Sequence, residues 1–151
     1  MEYITHNLKE TYGLAAKFVA GDLPSAYKVK KAATVVGLFG ELGAGKTSFA
    51  QGIARAFGVK DYITSPTFVL EKIYKLSKKY KYERLIHIDA YRLHNGEEMR
   101  ALGWWELLED SKNIIFIEWP ERVESVLPKE MIKIYFDHSE NENERRIKIM
   151  C

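Results

Sequence analysis

Gly40-Glu41-Leu42-Gly43-Ala44-Gly45-Lys46-Thr47 spells G-x-x-x-x-G-K-T, a complete Walker A loop. A phosphate chain is a dense negative charge that needs many donors at close range. Glycines let the backbone fold around it and turn several N–H groups inward as an anion-binding nest. A helix that follows such a loop adds its free N–H groups and the positive end of its dipole. Lys46 can reach the β- and γ-phosphates, and the Thr47 hydroxyl can bind Mg²⁺. The chemistry expected here is binding of a nucleoside triphosphate.

Mg²⁺ takes oxygen ligands, and an acid at the tip of a neighbouring buried strand usually supplies one. Two acids fit. Glu118 ends Ile114-Ile115-Phe116-Ile117, and Asp89 ends Leu85-Ile86-His87-Ile88. Glu118 is the expected metal-linked group and Asp89 the expected organiser of water or of the metal shell. Those roles could be exchanged, and an acid at a strand tip can also be a plain turn residue. Ser65 and Thr67, in Ser65-Pro66-Thr67, fall where other P-loop proteins keep a segment that senses the γ-phosphate. A proline-punctuated loop is the plainer reading of the same residues. His87 and Asp89 share one face of a strand but are too few for a dedicated zinc site. His87 reads as a positioned histidine beside the nucleotide or as a structural one. Trp104, Trp105 and Trp119 invite base stacking, but burial in a core or interface is favoured.

Several elements must position these groups. Leu8, Leu14, Ala15, Phe18 and Val19 form one helical stripe over about Asn7 to Ala20, with Asn7 or Thr5 as cap and Gly21 as stop. Ala33 to Phe39 reads as a buried strand feeding the loop, and Thr47 to Phe57 as the helix leaving it, closed by Gly58. Phe68 to Leu76 alternates as a strand. Lys78 to Lys81 is a hairpin tip, and Arg84 to Asp89 is the returning strand. A helical stretch is expected from Asn95 through Leu108, a buried strand at Ile114 to Glu118, and a closing strand pair at Met131 to Phe136 and Arg145 to Met150. The acidic loop from Asp137 to Glu144 argues against DNA over that end.

A chain of 151 residues is most simply one domain, and 46% hydrophobic content supports a sizeable core. With 23 basic and 21 acidic residues the net charge is +2, which does not announce a nucleic-acid binder. The lone cysteine, Cys151, has no internal disulfide partner. With no membrane-length apolar run and no secretory signal pattern, the expected location is the cytoplasm.

Four motifs in register carry a resemblance. The Walker loop, Ser65-Pro66-Thr67-Phe68, His87-Ile88-Asp89-Ala90-Tyr91-Arg92-Leu93 and Ile117-Glu118-Trp119-Pro120-Glu121 occur in this order. The pattern resembles the TsaE (YjeE-like) family, bacterial ATPases of tRNA threonylcarbamoyladenosine synthesis, over most of the chain. The resemblance implies an α/β, three-layer P-loop NTPase fold: a mixed sheet with antiparallel additions. It implies ATP and Mg²⁺ as ligands, hydrolysis that is slow in isolation, and assembly with TsaB and TsaD, through which tRNA is served indirectly. Its ATP contacts fall on Gly43, Ala44, Gly45, Lys46, Thr47 and Ser48. Thr47 and Glu118 match the metal site, and Lys46, Asp89 and Glu118 the catalytic groups. Ser65 and Thr67 match a switch-like loop, and Trp119 a neighbouring aromatic. An N-terminal segment around Thr5 to Thr11 and the C-terminal Arg145 match family elements near the nucleotide.

Two rival readings remain. A small-molecule kinase would need an acceptor pocket and an arginine-rich lid, which the sequence does not display. A nucleotide-gated binding module would use ATP to switch partner affinity. No Asn-Lys-x-Asp run for reading guanine is present, which leans towards ATP.

Overall fold

A computed structural model describes residues 1–21, 31–60 and 70–151. Among them, strands β1 (Glu2–Thr5), β2 (Thr34–Phe39), β3 (Glu71–Lys75), β4 (Arg84–Asp89), β5 (Asn113–Glu118), β6 (Ile132–His138) and β7 (Arg145–Met150) form one sheet. The helices are α1 (Leu8–Ala20), α2 (Lys46–Ala56) and α3 (Trp104–Glu109), with 3₁₀ turns at Gly96–Leu102 and Pro120–Val126.

The seven-stranded sheet runs β1-β7-β6-β2-β5-β4-β3. Its centre, β6-β2-β5-β4, is parallel. β3 adds antiparallel to β4 on one side, and β7 and β1 add antiparallel beyond β6 on the other. This is the expected mixed sheet with antiparallel additions. β5 is buried along its whole length, as its apolar run Ile114 to Ile117 requires of a central parallel strand.

Side chains alternate between two cores. On one face Phe18 of α1 and Phe49 of α2 meet Phe116 and Phe136 of the sheet, edge to face, with ring centroids 5.5–6.2 Å apart. On the other, Met99, Trp104 and Val123 cover Ile86, Ile88, Ile115 and Ile117. The sheet therefore lies between two layers.

Asn7 caps α1, accepting from the Glu10 N–H at 2.9 Å, while the Glu10 carboxylate accepts from the His6 N–H at 2.7 Å. The expected single helix over 95–108 is instead two pieces. The 3₁₀ turn Gly96–Leu102 ends at Gly103, whose N–H bonds the Met99 and Arg100 carbonyls, and α3 restarts at Trp104. The strand expected over 68–76 is β3 within its described part, while Phe68 and Val69 lie outside the described residues. β1 was not anticipated. It is short and half exposed, and its partner β7 is 140 residues away in sequence, so no local pattern announces it.

α1 and α2 cross closely at Gly52. A Cβ there would stand 2.8 Å from the Ala15 Cβ and 2.9 Å from Tyr12 Cδ1. Gly52→Val should therefore destabilise the protein by about 1–3 kcal/mol through overpacking. The urea midpoint checks this, and an unchanged midpoint would contradict it.

Candidate functional site

The parallel strands β2, β5 and β4 end side by side. Register places Leu38 beside Glu118 and Glu118 beside Asp89. Ligands of open α/β sheets bind outside these carboxyl ends. The Walker loop leaves β2 here and enters α2 at Lys46. Gly40 has φ 150°, and a Cβ on it would meet the Phe136 carbonyl oxygen at 2.5 Å, so only glycine fits the start of the loop.

Lys46 is only 5% exposed. Its Nζ donates to the Gly40 carbonyl and, at 3.0 Å, to the Glu41 carbonyl. It also stands 3.9 Å from the Trp119 ring centroid. Burial pushes its pKa below the ordinary lysine value, against the pull of the Glu118, Glu121, Asp89 and Glu41 carboxylates. The lysine is thus docked on its own loop, within the field of four acids.

Glu118 is 2% exposed and held from two sides. The Thr47 hydroxyl donates to Oε1 at 2.8 Å, and His87 Nε2 meets Oε2 at 2.8 Å. Burial pushes its pKa up. The hydrogen bond and field of His87, the Thr47 hydroxyl and the charge of Lys46 outweigh burial and hold it below the ordinary carboxylate range. A serine or threonine of a Walker loop joined to a strand-end acid is a pair of oxygen donors suited to Mg²⁺, which takes its other ligands from phosphate and water. Asp89 is buried beside this pair. Its Oδ1 accepts from the Tyr91 N–H at 3.0 Å, so it shapes the turn after β4, and its charge acts on Lys46.

A family model for the threonylcarbamoyl adenosine biosynthesis protein TsaE matches residues 5–147. The chain belongs to the TsaE family. That family takes part in tRNA threonylcarbamoyladenosine biosynthesis. The TsaE protein of Rickettsia felis is 38% identical over 148 residues, covering 97% of this chain and 78% of that one. The TsaE protein of Borreliella burgdorferi is 40% identical over 95 residues, 63% of this chain and 66% of that one. A crystal structure of Bacillus subtilis YdiB superposes with a TM-score of 0.74 at 27% identity, covering 99% of this chain and 83% of that one.

In this TsaE-family chain the two ends of the sequence meet at the start of α2. A cavity of about 180 Å³ is lined by Asn7, Leu8 and Thr11 from the N-terminal segment, Gly45 and Ser48 from the loop and α2, and Asn143, Arg145 and Ile147 from around β7. Arg145 Cδ lies 3.3 Å from where a Cβ on Gly45 would sit, and its guanidinium donates to the Glu142 carbonyl and, at 3.0 Å, to the Glu144 carbonyl. Thr5 and Thr11 share a buried hydroxyl hydrogen bond of 2.9 Å that ties β1 to α1.

Lys46, Thr47, Glu118, Asp89 and Trp119 are thus gathered at one mouth, with Ser48 and Arg145 on its flank. Ser65 and Thr67 lie outside the described residues. Trp119 is half-buried with φ 58°, between Lys46 and Tyr91, whose ring centroid is 5.1 Å away. Trp104 is in the core, as favoured, whereas Trp105 is 46% exposed. The tie from His87 to Glu118 was not anticipated, although the His-x-Asp spacing had placed His87 on the right face. The nearness of Glu121 to Lys46 was missed as well.

Glu118→Gln tests the buried carboxylate. Near neutral pH it should lower stability by about 1–3 kcal/mol, because charge-assisted bonds to Thr47 and His87 are lost. A depressed folded pKa gives stability that is complete above the unfolded value near 4.5 and fades as pH falls through the lower folded value. Urea midpoints should therefore converge for wild type and variant in acid. A gap that stays constant or widens would contradict this.

Proposed function

We propose that this chain is a Mg²⁺-dependent P-loop ATPase that supports threonylcarbamoyladenosine modification of tRNA together with TsaB and TsaD in the cytoplasm. The carrying observation is the cluster of Lys46, Thr47 and Glu118 at the mouth of the loop, with Asp89 beside it. The family's part in that biosynthesis supports the pathway assignment.

In this reading the loop N–H groups from Gly43 to Ser48 and the start of α2 receive the phosphates. Lys46 exchanges the Gly40 and Glu41 carbonyls and the Trp119 face for β- and γ-oxygens. The Thr47 hydroxyl and the Glu118 carboxylate would hold Mg²⁺, which would supply charge neutralisation for the phosphates. Asp89 orients the attacking water, whose oxygen bonds to the γ-phosphorus as the bond to the leaving ADP oxygen breaks. The cavity bounded by Asn7, Ser48 and Arg145 receives the base and ribose. Ser65 and Thr67 sense the γ-phosphate, and partner groups complete the site, so turnover alone is slow.

A second reading, a nucleotide-gated binding module, is favoured by one observation. The contacts of Lys46 continue outward through Trp119 to Tyr91, 51% exposed, and to Arg122, whose guanidinium carbon is 5.5 Å from the Tyr91 ring. A lysine drawn to phosphate would release that aromatic stack at the surface.

Lys46→Ala should cut phosphate release from ATP by at least about 10²-fold, the scale of losing one preorganised electrostatic group, with circular dichroism unchanged. Unaltered turnover would refute the ATPase reading, and a phosphorylated acceptor in place of free phosphate would indicate a kinase. Pull-down with TsaB and TsaD under ATP, ADP and no nucleotide should recover the complex. If nucleotide switches binding while hydrolysis-deficient variants still support modification, the gating reading replaces the first.

A further inference from the structure

We propose that His87 is the positioning residue for Glu118: it fixes the carboxylate in the rotamer that faces Thr47 and the metal position. This rests on the reading of Glu118 as the metal-linked acid. β4 and β5 run in parallel register with His87 beside Phe116, and the imidazole reaches forward along the neighbouring strand to Glu118. Both side chains are buried. The carboxylate is gripped at opposite oxygens, by Thr47 on Oε1 and His87 on Oε2, each at 2.8 Å. An ionised carboxylate only accepts, so the imidazole proton sits on Nε2.

That orientation has a cost. It leaves His87 Nδ1 buried with no hydrogen-bond partner among the described residues. The other groups around Glu118 turn over in the proposed cycle. Lys46 leaves for phosphate, and the Thr47 oxygen is shared with the metal. His87 is the contact that persists, and without it the carboxylate can pivot about its side-chain torsions. Outer partners of this kind act on metal affinity rather than on nucleotide contacts. With Nε2 engaged and the ring buried, His87 itself touches neither substrate nor metal.

The test uses the full chain and three variants. In His87→Gln the amide nitrogen reaches the position of Nε2. In His87→Asn it reaches only that of Nδ1, and His87→Leu keeps bulk without a donor. Calorimetry measures binding of adenylyl-imidodiphosphate across a Mg²⁺ titration. Half-saturating Mg²⁺ should rise about 10–100-fold for His87→Asn and His87→Leu and stay within about threefold of wild type for His87→Gln. Metal-free nucleotide affinity should be the same in all. If His87→Leu does not fold, the Gln and Asn pair decides, because both keep a polar amide. The proposal is overturned if every variant titrates like wild type, if Gln fails as Asn does, or if metal-free affinity falls in parallel. A wild-type protein that binds the analogue with no Mg²⁺ dependence would instead bring down the parent reading of Glu118.

Discussion

A carboxylate buried at the end of a central strand is the constraint around which this molecule is organised. Taking Glu118 out of water costs several kcal/mol unless both oxygens find donors and a positive charge stands near. The fold meets that demand with three groups from two elements. Thr47 and Lys46 both come from the first turn of α2, and His87 comes from β4. Each donor is available only if β2, β5 and β4 lie adjacent, parallel and in one register. The acid therefore holds the sheet to its order as much as the sheet holds the acid in place.

The lysine shows the complementary side of this electrostatics. Lys46 is drawn inward by four carboxylates, yet its Nζ bonds are to two carbonyls of its own loop and its face contact is to Trp119. An ammonium satisfied by carbonyls and a π-face has partners it can exchange at little cost for phosphate oxygens. An ammonium fully paired with one carboxylate would have to break a buried ion pair first. Loop and lysine together thus form a closed, satisfied arrangement that stays convertible. The left-handed backbone at Trp119, next to Glu118, aims the indole at that one ammonium.

Local features of the sequence reported local features of the fold well. The Walker spacing locates the turn from β2 into α2, one of the two expected caps of α1, Asn7 rather than Thr5, is the cap, and the apolar run ending in Glu118 is a buried strand. These depend on neighbours within a few residues. The parts that stayed illegible depend on register between distant strands. Nothing near His87 indicates that its ring meets Glu118, 31 residues on, because that contact exists only once β4 and β5 align. The same holds for β1, which is a strand only because β7 supplies its hydrogen bonds. Gly103 falls inside the helical stretch expected from Asn95 through Leu108, but its left-handed backbone divides that segment. The glycine signal was present, and the helical pattern on either side outweighed it.

The antiparallel additions beyond β6 matter for the site and not only for the sheet. β7 begins at Arg145, and pairing with β6 brings that residue opposite His138, whose ring approaches the Leu42 carbonyl of the loop. β1 pairs with β7 so that Thr5 stands opposite Arg145, and the chain then turns through Asn7 into α1. The two sequence ends are thereby delivered to the flank of the loop, where Asn7, Thr11, Gly45, Ser48 and Arg145 enclose one cavity. A parallel core alone would leave that flank open to water. The added strands supply the wall, and an arginine and an asparagine reach the start of α2 only because those strands pair. The Walker-loop end of the site is thus built by sequence-local chemistry, and its flank by contacts between segments from the two ends of the sequence.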